Sequence, residues 1–357
     1  MKAPELASAA DFVTIHILPY WEDDPVREDK AVAHVREVRE RLGATFPGKE
    51  IWIGEVGWPS RGRMREGALP SPANQVRFLS GVVQAAKAEG WKVNLIEAFD
   101  QPWKRLLEGT VGGYWGLYDD ARREPKFRFG APVSNHPDWP LKAGLGIGAA
   151  CLVFVASWLG AHGGSRRTSW RRELACAGIA LGSGLVFGLA AVNLPLEGEM
   201  AGDRLRAVGM LVLTLVVPMA ASYAVARGDR LPGIARALDP SYWREPDRVA
   251  VVLAALLAAT MVAAIHVALG LVFDPRYKDF PLAALVGPVV ALAVLALVDN
   301  PAPDRPGNAE LAAAALLTGS AVFVTLNEGI ANWQALSFAA LLLLLALTAV
   351  RAKAAPG

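Results

Sequence analysis

One carboxylate stands out for its neighbours. Glu55 lies in the segment IWIGEVGWPS (51–60), where Ile51, Trp52 and Ile53 favour a short buried strand and Gly54, Gly57 and Pro59 break it around the acid. A Glu at the end of a barrel strand with an aromatic neighbour, here Trp58, suits sugar cleavage: the carboxylate reacts at the glycosidic bond, and ring faces stack on pyranose. The alternative is a surface Glu in a strand-end turn. The segments on either side favour the first reading.

Residues 11–21 (DFVTIHILPYW) predict a strand running into an aromatic loop, with Pro19 marking its end. Residues 91–104 (WKVNLIEAFDQPWK) predict another strand that ends in an acid- and aromatic-rich turn. Val32, Val35, Val38 and Leu42 recur at helical spacing over 30–42. Val76, Leu79, Val82, Val83 and Ala86 do the same over 72–89, with Pro72 near the start and Gly90 at the end. Strand, helix, strand, helix, strand predicts βαβ units on a parallel sheet. That order places Tyr20, Trp21, Glu55, Trp58, Glu97, Asp100 and Trp103 at or just past strand ends.

EVGWPS, HILPYW, and EAFDQPWK followed by YWGLYD (114–119) together resemble glycoside hydrolase family 17. The resemblance is to its bacterial membrane-bound members linked to β-1,3- and β-1,6-glucan synthesis, and it covers roughly 11–130. It implies a (β/α)8 barrel with the nucleophile after strand seven and the acid/base after strand four. Carried over, Glu55 matches the nucleophile. His16 to Trp21 matches the substrate-lining loop after strand six, and Glu97, Asp100 and Lys104 match the polar cluster after strand eight. Tyr20, Trp21, Trp58 and Trp103 would hold the glucan. Plant members carry an acid shortly before the Phe-Gly-Leu-Phe-like segment; here Val111-Gly112-Gly113 occupies that stretch.

A retaining glycosidase needs two carboxyl groups roughly 5–5.5 Å apart across the scissile bond. The resemblance puts the second after an Asn, well before the nucleophile, yet the 54 residues preceding Glu55 hold no Asn-Glu pair. Glu97 and Asp100 share the rim but come from the adjacent strand. The expected fold is therefore a partial TIM barrel, last strands only, with an open sheet edge. Met1 is expected to be an internal start, of a truncated gene or of a fragment completed by another chain, since MKAPELASAADF lacks the apolar core of a signal peptide.

From Leu141 the composition changes, and the chain's 53% apolar residues concentrate in long runs. The runs 142–161, 173–192, 205–226, 249–273, 281–298, 309–326 and 334–350 predict an all-α bundle of about seven transmembrane helices. The expected organisation is a partial barrel over 1–130, a Pro-rich linker over 131–140, a bundle over 141–351 and a short tail over 352–357. Arg166, Arg167, Arg171, Arg172, Arg227, Arg230, Arg236, Arg244, Arg248, Arg305, Arg351 and Lys353 flank one side, against Arg204, Arg276 and Lys278 on the other. The positive-inside rule then puts the Glu55 domain outside a bacterial cell membrane and the C-terminus in the cytoplasm. The outward loops 274–280 and 327–333 offer Asp279, Glu328, Asn332 and Trp333 as candidate membrane-proximal contacts. The alternative is that these polar loops cap helices. Gly178/Gly182 and Gly184/Gly188 have the spacing of close helix packing.

Cys151 and Cys176 fall inside spans, and His16, His34, His136, His162 and His266 lack metal-ligand spacing, so no metal or cofactor is expected. No phosphate-binding glycine loop is present, and the net charge of +2 follows membrane topology and not a nucleic-acid stripe. The expected function is an outward-facing retaining β-glucan hydrolase or transglycosylase. The expected partners are a β-glucan, the bilayer, and either a glucan-synthesis protein or the missing barrel half. The alternative is a non-catalytic glucan-binding or glucan-export protein.

Overall fold

The computed structural model describes residues 9–163, 169–198, 200–239, 241–244, 247–298 and 306–352. The chain divides into two compact units, Met1–Pro137 and Asp138–Gly357.

In the first unit, β1 (Phe12–Ile17), β2 (Glu50–Val56) and β3 (Lys92–Leu95) form a parallel sheet in the order β1-β2-β3. Helix α1 (Glu28–Thr45) links β1 to β2, and α2 (Pro72–Glu89) links β2 to β3. Local chemistry fixes α2 at both ends. The Ser71 side chain accepts the Asn74 amide at 3.1 Å, and Pro72 sets the first turn. Gly90 ends the helix in the left-handed conformation, with φ 69°. Both helices pack on one face of the sheet. There Ile17, Ile53 and Val56 meet Ala31 and Val35 of α1 and Phe78, Leu79 and Val82 of α2, all essentially inaccessible. Each large apolar side chain removed from water stabilises this core by about 1.5–3 kcal/mol.

β3 is shorter than the pattern of 91–104 suggests. After Leu95 the chain leaves the sheet and pairs with the segment 115–118: the Glu97 amide donates to Trp115 O at 3.0 Å, and Leu117 donates to Glu97 O at 2.8 Å. Gln75, fully buried on α2, holds that segment by donating to the carbonyls of Trp115 and Gly116. The chain then forms a 3₁₀ turn (Pro102–Lys104) and a short helix, α3 (Arg105–Gly112).

The second unit is all helical: α4 (Trp139–Gly163), α5 (Trp170–Asn193), α6 (Ala201–Arg227), a four-residue α7 (Ile234–Ala237), α8 (Arg248–Phe273), α9 (Leu282–Leu297), α10 (Asn308–Glu328) and α11 (Trp333–Arg351). Among the described residues six of these are long and apolar enough to cross a membrane, the signature of a multi-pass membrane protein. The seventh expected span falls on α9, whose 16 residues run about 24 Å. Its position explains its composition. α9 packs against α5, α6 and α11, and most of its length is buried by protein, so its apolar character serves the bundle core. The Thr214 hydroxyl of α6 lies 2.9 Å from Ala284 O of α9, joining two helices that each contain an internal proline, Pro218 and Pro288.

The two glycine pairs of α5 differ. Gly184 and Gly188 lie against the α4 backbone at Gly146 and Lys142, where any Cβ would collide, whereas Gly178 and Gly182 have no neighbour within 4 Å. His266 is exposed on α8.

Candidate active site

Glu55 owes its direction to a local irregularity. In β2, Ile51 and Ile53 face the helices, and strict alternation would send residue 55 to the same side. The β1–β2 register slips between Ile15 and His16, so that Ile15 pairs with Ile53 but His16 pairs with Glu55. Gly54 is the extra residue of this bulge. Only glycine fits, because a Cβ there would collide with the Thr14 methyl and crowd the His16 ring. The shift returns Val56 to the core and turns Glu55 to the other face. There its Oε2 lies 3.2 Å from His16 Nδ1. Both groups stay accessible, with side chains 41% and 56% exposed. A carboxylate so placed is held by a neighbouring ring nitrogen yet open to a ligand.

Glu97 leaves the adjacent strand. The Ile96 amide donates to Val56 O at 3.0 Å, so the two carboxylates follow neighbouring strand ends. Glu97 is mostly buried and forms an ion pair with Lys104. Its Oε2 is buried without a hydrogen bond among the described residues. Asp100 lies deeper, 5% exposed, with Oδ1 accepting from Lys126 at 2.8 Å and from the Gly116 amide at 2.9 Å. Burial pushes its carboxyl above the ordinary range, against the pull of Lys126. Burial likewise pulls the Lys126 ammonium down, against Asp100.

The aromatic residues divide into two groups. Tyr20 and Trp58 belong to the core: Tyr20 donates to Arg63 O at 2.8 Å, and the Trp58 indole donates to Leu69 O at 3.2 Å while packing on Phe78. Trp21 is half-buried, stacked near-parallel on Trp115, with the Arg65 guanidinium over its ring. Trp103 presents an open ring beside Lys104.

Two residues near these groups carry no signal of their own in the sequence. Glu108, on α3, lies in the field of both Lys104 and Glu97; burial raises its carboxyl, Lys104 opposes the rise and Glu97 adds to it. Its side chain packs over Gly112, where a Cβ would meet it. Gly112 thus makes room for an acid four places earlier. Lys126 comes back from 26 residues beyond Asp100, a distance no local pattern reveals.

In the second unit, Asn332 and Glu328 are buried and bonded to each other at 2.8 Å, and the Asn332 side chain caps α11 by accepting the Ala335 amide. They serve the α10–α11 turn, and Trp333 is exposed beside them. Asp279 lies near Glu197, whose carboxyl burial, with Asp279 adding, pushes up to about 8. Of the arginines and lysines expected to orient the bundle, Arg166, Arg167, Arg305 and Lys353 lie outside the described residues.

The first unit is similar to known proteins. Residues 1–116 match the family model of the BtgE/BtgC glycoside hydrolase domain. Over 118 residues the chain is 30% identical to a glucan 1,3-beta-glucosidase of Saccharomyces cerevisiae, covering 31% of this chain and 37% of that protein. Over 114 residues it is 30% identical to a probable beta-glucosidase, btgE, of Aspergillus fumigatus, covering 32% of this chain and 20% of that protein. The chain thus spans little more than a third of the length of these curated relatives, or less. Among solved structures it is similar to a glycoside hydrolase family 17 beta-1,3-glucanosyltransferase from Rhizomucor miehei, at 26% identity, covering 34% of this chain and 43% of that one, with a TM-score of 0.31. An active-site mutant of that enzyme was solved in complex with laminaritriose; it matches at 25% identity over 36% of this chain and 46% of that one, with a TM-score of 0.32. The N-terminal third of this chain is therefore similar to part of a glycoside hydrolase domain, and long apolar helices follow it.

Proposed function

We propose that this chain is the nucleophile-bearing part of a membrane-anchored, outward-facing retaining enzyme that cleaves or transfers β-1,3/β-1,6-glucan. The observation that carries the reading is Glu55: an accessible carboxylate at a strand end, aimed by the Gly54 bulge and held by His16, inside the segment that matches a glycoside hydrolase domain. In the proposed reaction a Glu55 oxygen attacks the anomeric carbon, and the bond to the leaving-group oxygen breaks as that oxygen takes a proton from a carboxylic acid. The resulting glycosyl ester is then attacked by an acceptor oxygen, whose proton returns to the same carboxylate while Glu55 is released. Water as acceptor gives hydrolysis; a glucan hydroxyl gives a new linkage.

The acid is assigned to polypeptide outside residues 9–137. The edge of β1, unpaired among the described residues, supports this assignment, as does the greater length of the curated relatives. Trp103 and Trp21 would hold the glucan with His16, while Glu97, Lys104 and Asp100 order the floor, with Tyr20 and Trp58 in the core. Arg and Lys asymmetry among the loops supports an outward site and a cytoplasmic C-terminus.

The test is incubation of the protein, in membranes from its own source, with a laminari-oligosaccharide, followed by linkage analysis. Shorter sugars alone identify a hydrolase, and longer or branched products identify a transferase. Binding without any turnover would replace this reading with that of a glucan-binding or glucan-export protein. The openness of the His16–Glu55 face favours that second reading in the chain taken by itself.

A further inference from the structure

Three separate parts of the first unit meet at one buried ammonium. Lys126 Nζ donates to Asp100 Oδ1 at 2.8 Å and to Ser60 Oγ at 2.7 Å. Ser60 closes the EVGWPS segment that begins at Glu55, and its amide and hydroxyl both donate to Tyr114 O, at 2.9 and 3.0 Å. Asp100 closes the turn that begins at Glu97, and its Oδ1 also accepts the Gly116 amide. The Lys126 amide itself donates to Leu117 O at 2.9 Å. The Lys126 and Asp100 side chains are 16% and 6% exposed, and Ser60 is 2% exposed. These bonds are shielded from competing water, and such charge-assisted bonds are the stronger kind.

We infer that Lys126 is a positioning residue of the candidate site: its ammonium fixes the loop that leaves the Glu55 strand against the turn that carries Glu97 and Asp100. Lys126 acts through Ser60 and Asp100 and touches no substrate. Glu55 is accessible, and the β2 ladder ends at Val56, one residue beyond it. The rigidity of the chain beyond that point depends on what holds residues 57–60, and one of those holds is the Ser60–Lys126–Asp100 link. A loose link lets Glu55 drift from the geometry of attack without emptying the aromatic subsites, so the loss falls on turnover and not on affinity. The inference deepens the glucan reading and rests on it only for the reactivity of Glu55.

The test uses the full chain in lipid nanodiscs, with two readouts. Hydrogen exchange followed by peptide mass spectrometry reports the loops directly. Labelling of Glu55 by a dinitrophenyl β-glucoside fluorinated beside the anomeric carbon, whose leaving group departs without a proton, reports its reactivity. In Lys126→Met, amides in 57–60 and 97–101 should exchange roughly tenfold faster or more while 72–89 stays protected. The saturating labelling rate should fall roughly tenfold, with the half-saturating probe concentration moving less than about twofold. Lys126→Arg should recover much of both, since it keeps the charge and the donors. Unchanged exchange in Lys126→Met overturns the inference, and so does an effect confined to half-saturation. If Lys126→Met loses protection throughout 9–137, Ser60→Ala, which removes the hydroxyl's bonds to Lys126 and Tyr114 and keeps the Asp100 pair, decides by the same readouts. If the unsubstituted chain takes no label at Glu55, the nucleophile reading falls and exchange alone decides the role of Lys126.

Discussion

His16 Nδ1 lies 3.2 Å from Glu55 Oε2, and the two residues are direct partners in the β1–β2 register. A close pair of exposed side chains is worth about 0.2–1 kcal/mol. His16→Ala should slow attack by Glu55 up to about fivefold while leaving the fold intact. Labelling kinetics at Glu55 check this, and an unchanged rate would mean that the imidazole does not orient the carboxylate.

The contact of the Gly116 backbone with Asp100 leaves no room for a side chain, because a Cβ there would run into the Asp100 amide. Gly116→Ala should therefore destabilise the first unit by about 3 kcal/mol or more, since backbone and not a flexible side chain must yield. Gly43, inside α1 with no neighbour within 4 Å, is the contrast. Gly43→Ala should stabilise by up to about 1 kcal/mol through helix propensity. Chemical unfolding curves of the two variants should move in opposite directions.

Glu108 supplies a pH dependence. Burial raises its carboxyl above the ordinary 4.5, opposed by Lys104 and aided by Glu97. The folded value lies above the unfolded one, so the stability tied to the protonated acid is full below the unfolded value and is lost as pH rises through the folded value. Glu108→Gln cannot ionise and should lose less stability than the parent as pH climbs from 4.5 upward. Thermal unfolding across a pH series checks this, and parallel curves would contradict it.

Orientation is tested by fusion. A fluorescent protein placed after Ala352 should fold and glow in the cytoplasm, whereas a periplasmic phosphatase fused within the α8–α9 loop, 274–281, should be active. The opposite pattern would put Glu55 on the cytoplasmic side and remove the outward-facing reading.

Much of the first unit was legible because its signals are local. Ser71-Pro72 and Gly90 delimit α2 by capping chemistry, and Ile51–Ile53 announce β2 by side-chain type. The strand-end position of Glu55 was readable for the same reason. Its direction was not, since a bulge is a relation between two strands and shows in one of them only as a glycine. Tyr20 and Trp58 read as ligand platforms because an aromatic ring near a strand end looks the same whether it faces a core or a site; their inward hydrogen bonds decide between the two. Lys126 and Glu108 matter through contacts or fields that residue type alone does not reveal. In the second unit, hydropathy located every long helix, but it does not distinguish lipid from protein as the apolar surroundings. The run 281–298 is an example: its helix α9 is shorter than the others and largely enclosed by its neighbours.

The central claim is that Glu55 is the nucleophile. It is tested most directly with a dinitrophenyl β-laminaribioside fluorinated beside the anomeric carbon. The leaving group departs without a proton, so the experiment needs no acid partner, and the fluorine slows release of the ester. Peptide mass spectrometry should find one laminaribiosyl group on the peptide that contains Glu55, and none in Glu55→Gln. A label on another residue, or an equal label in Glu55→Gln, would contradict the account.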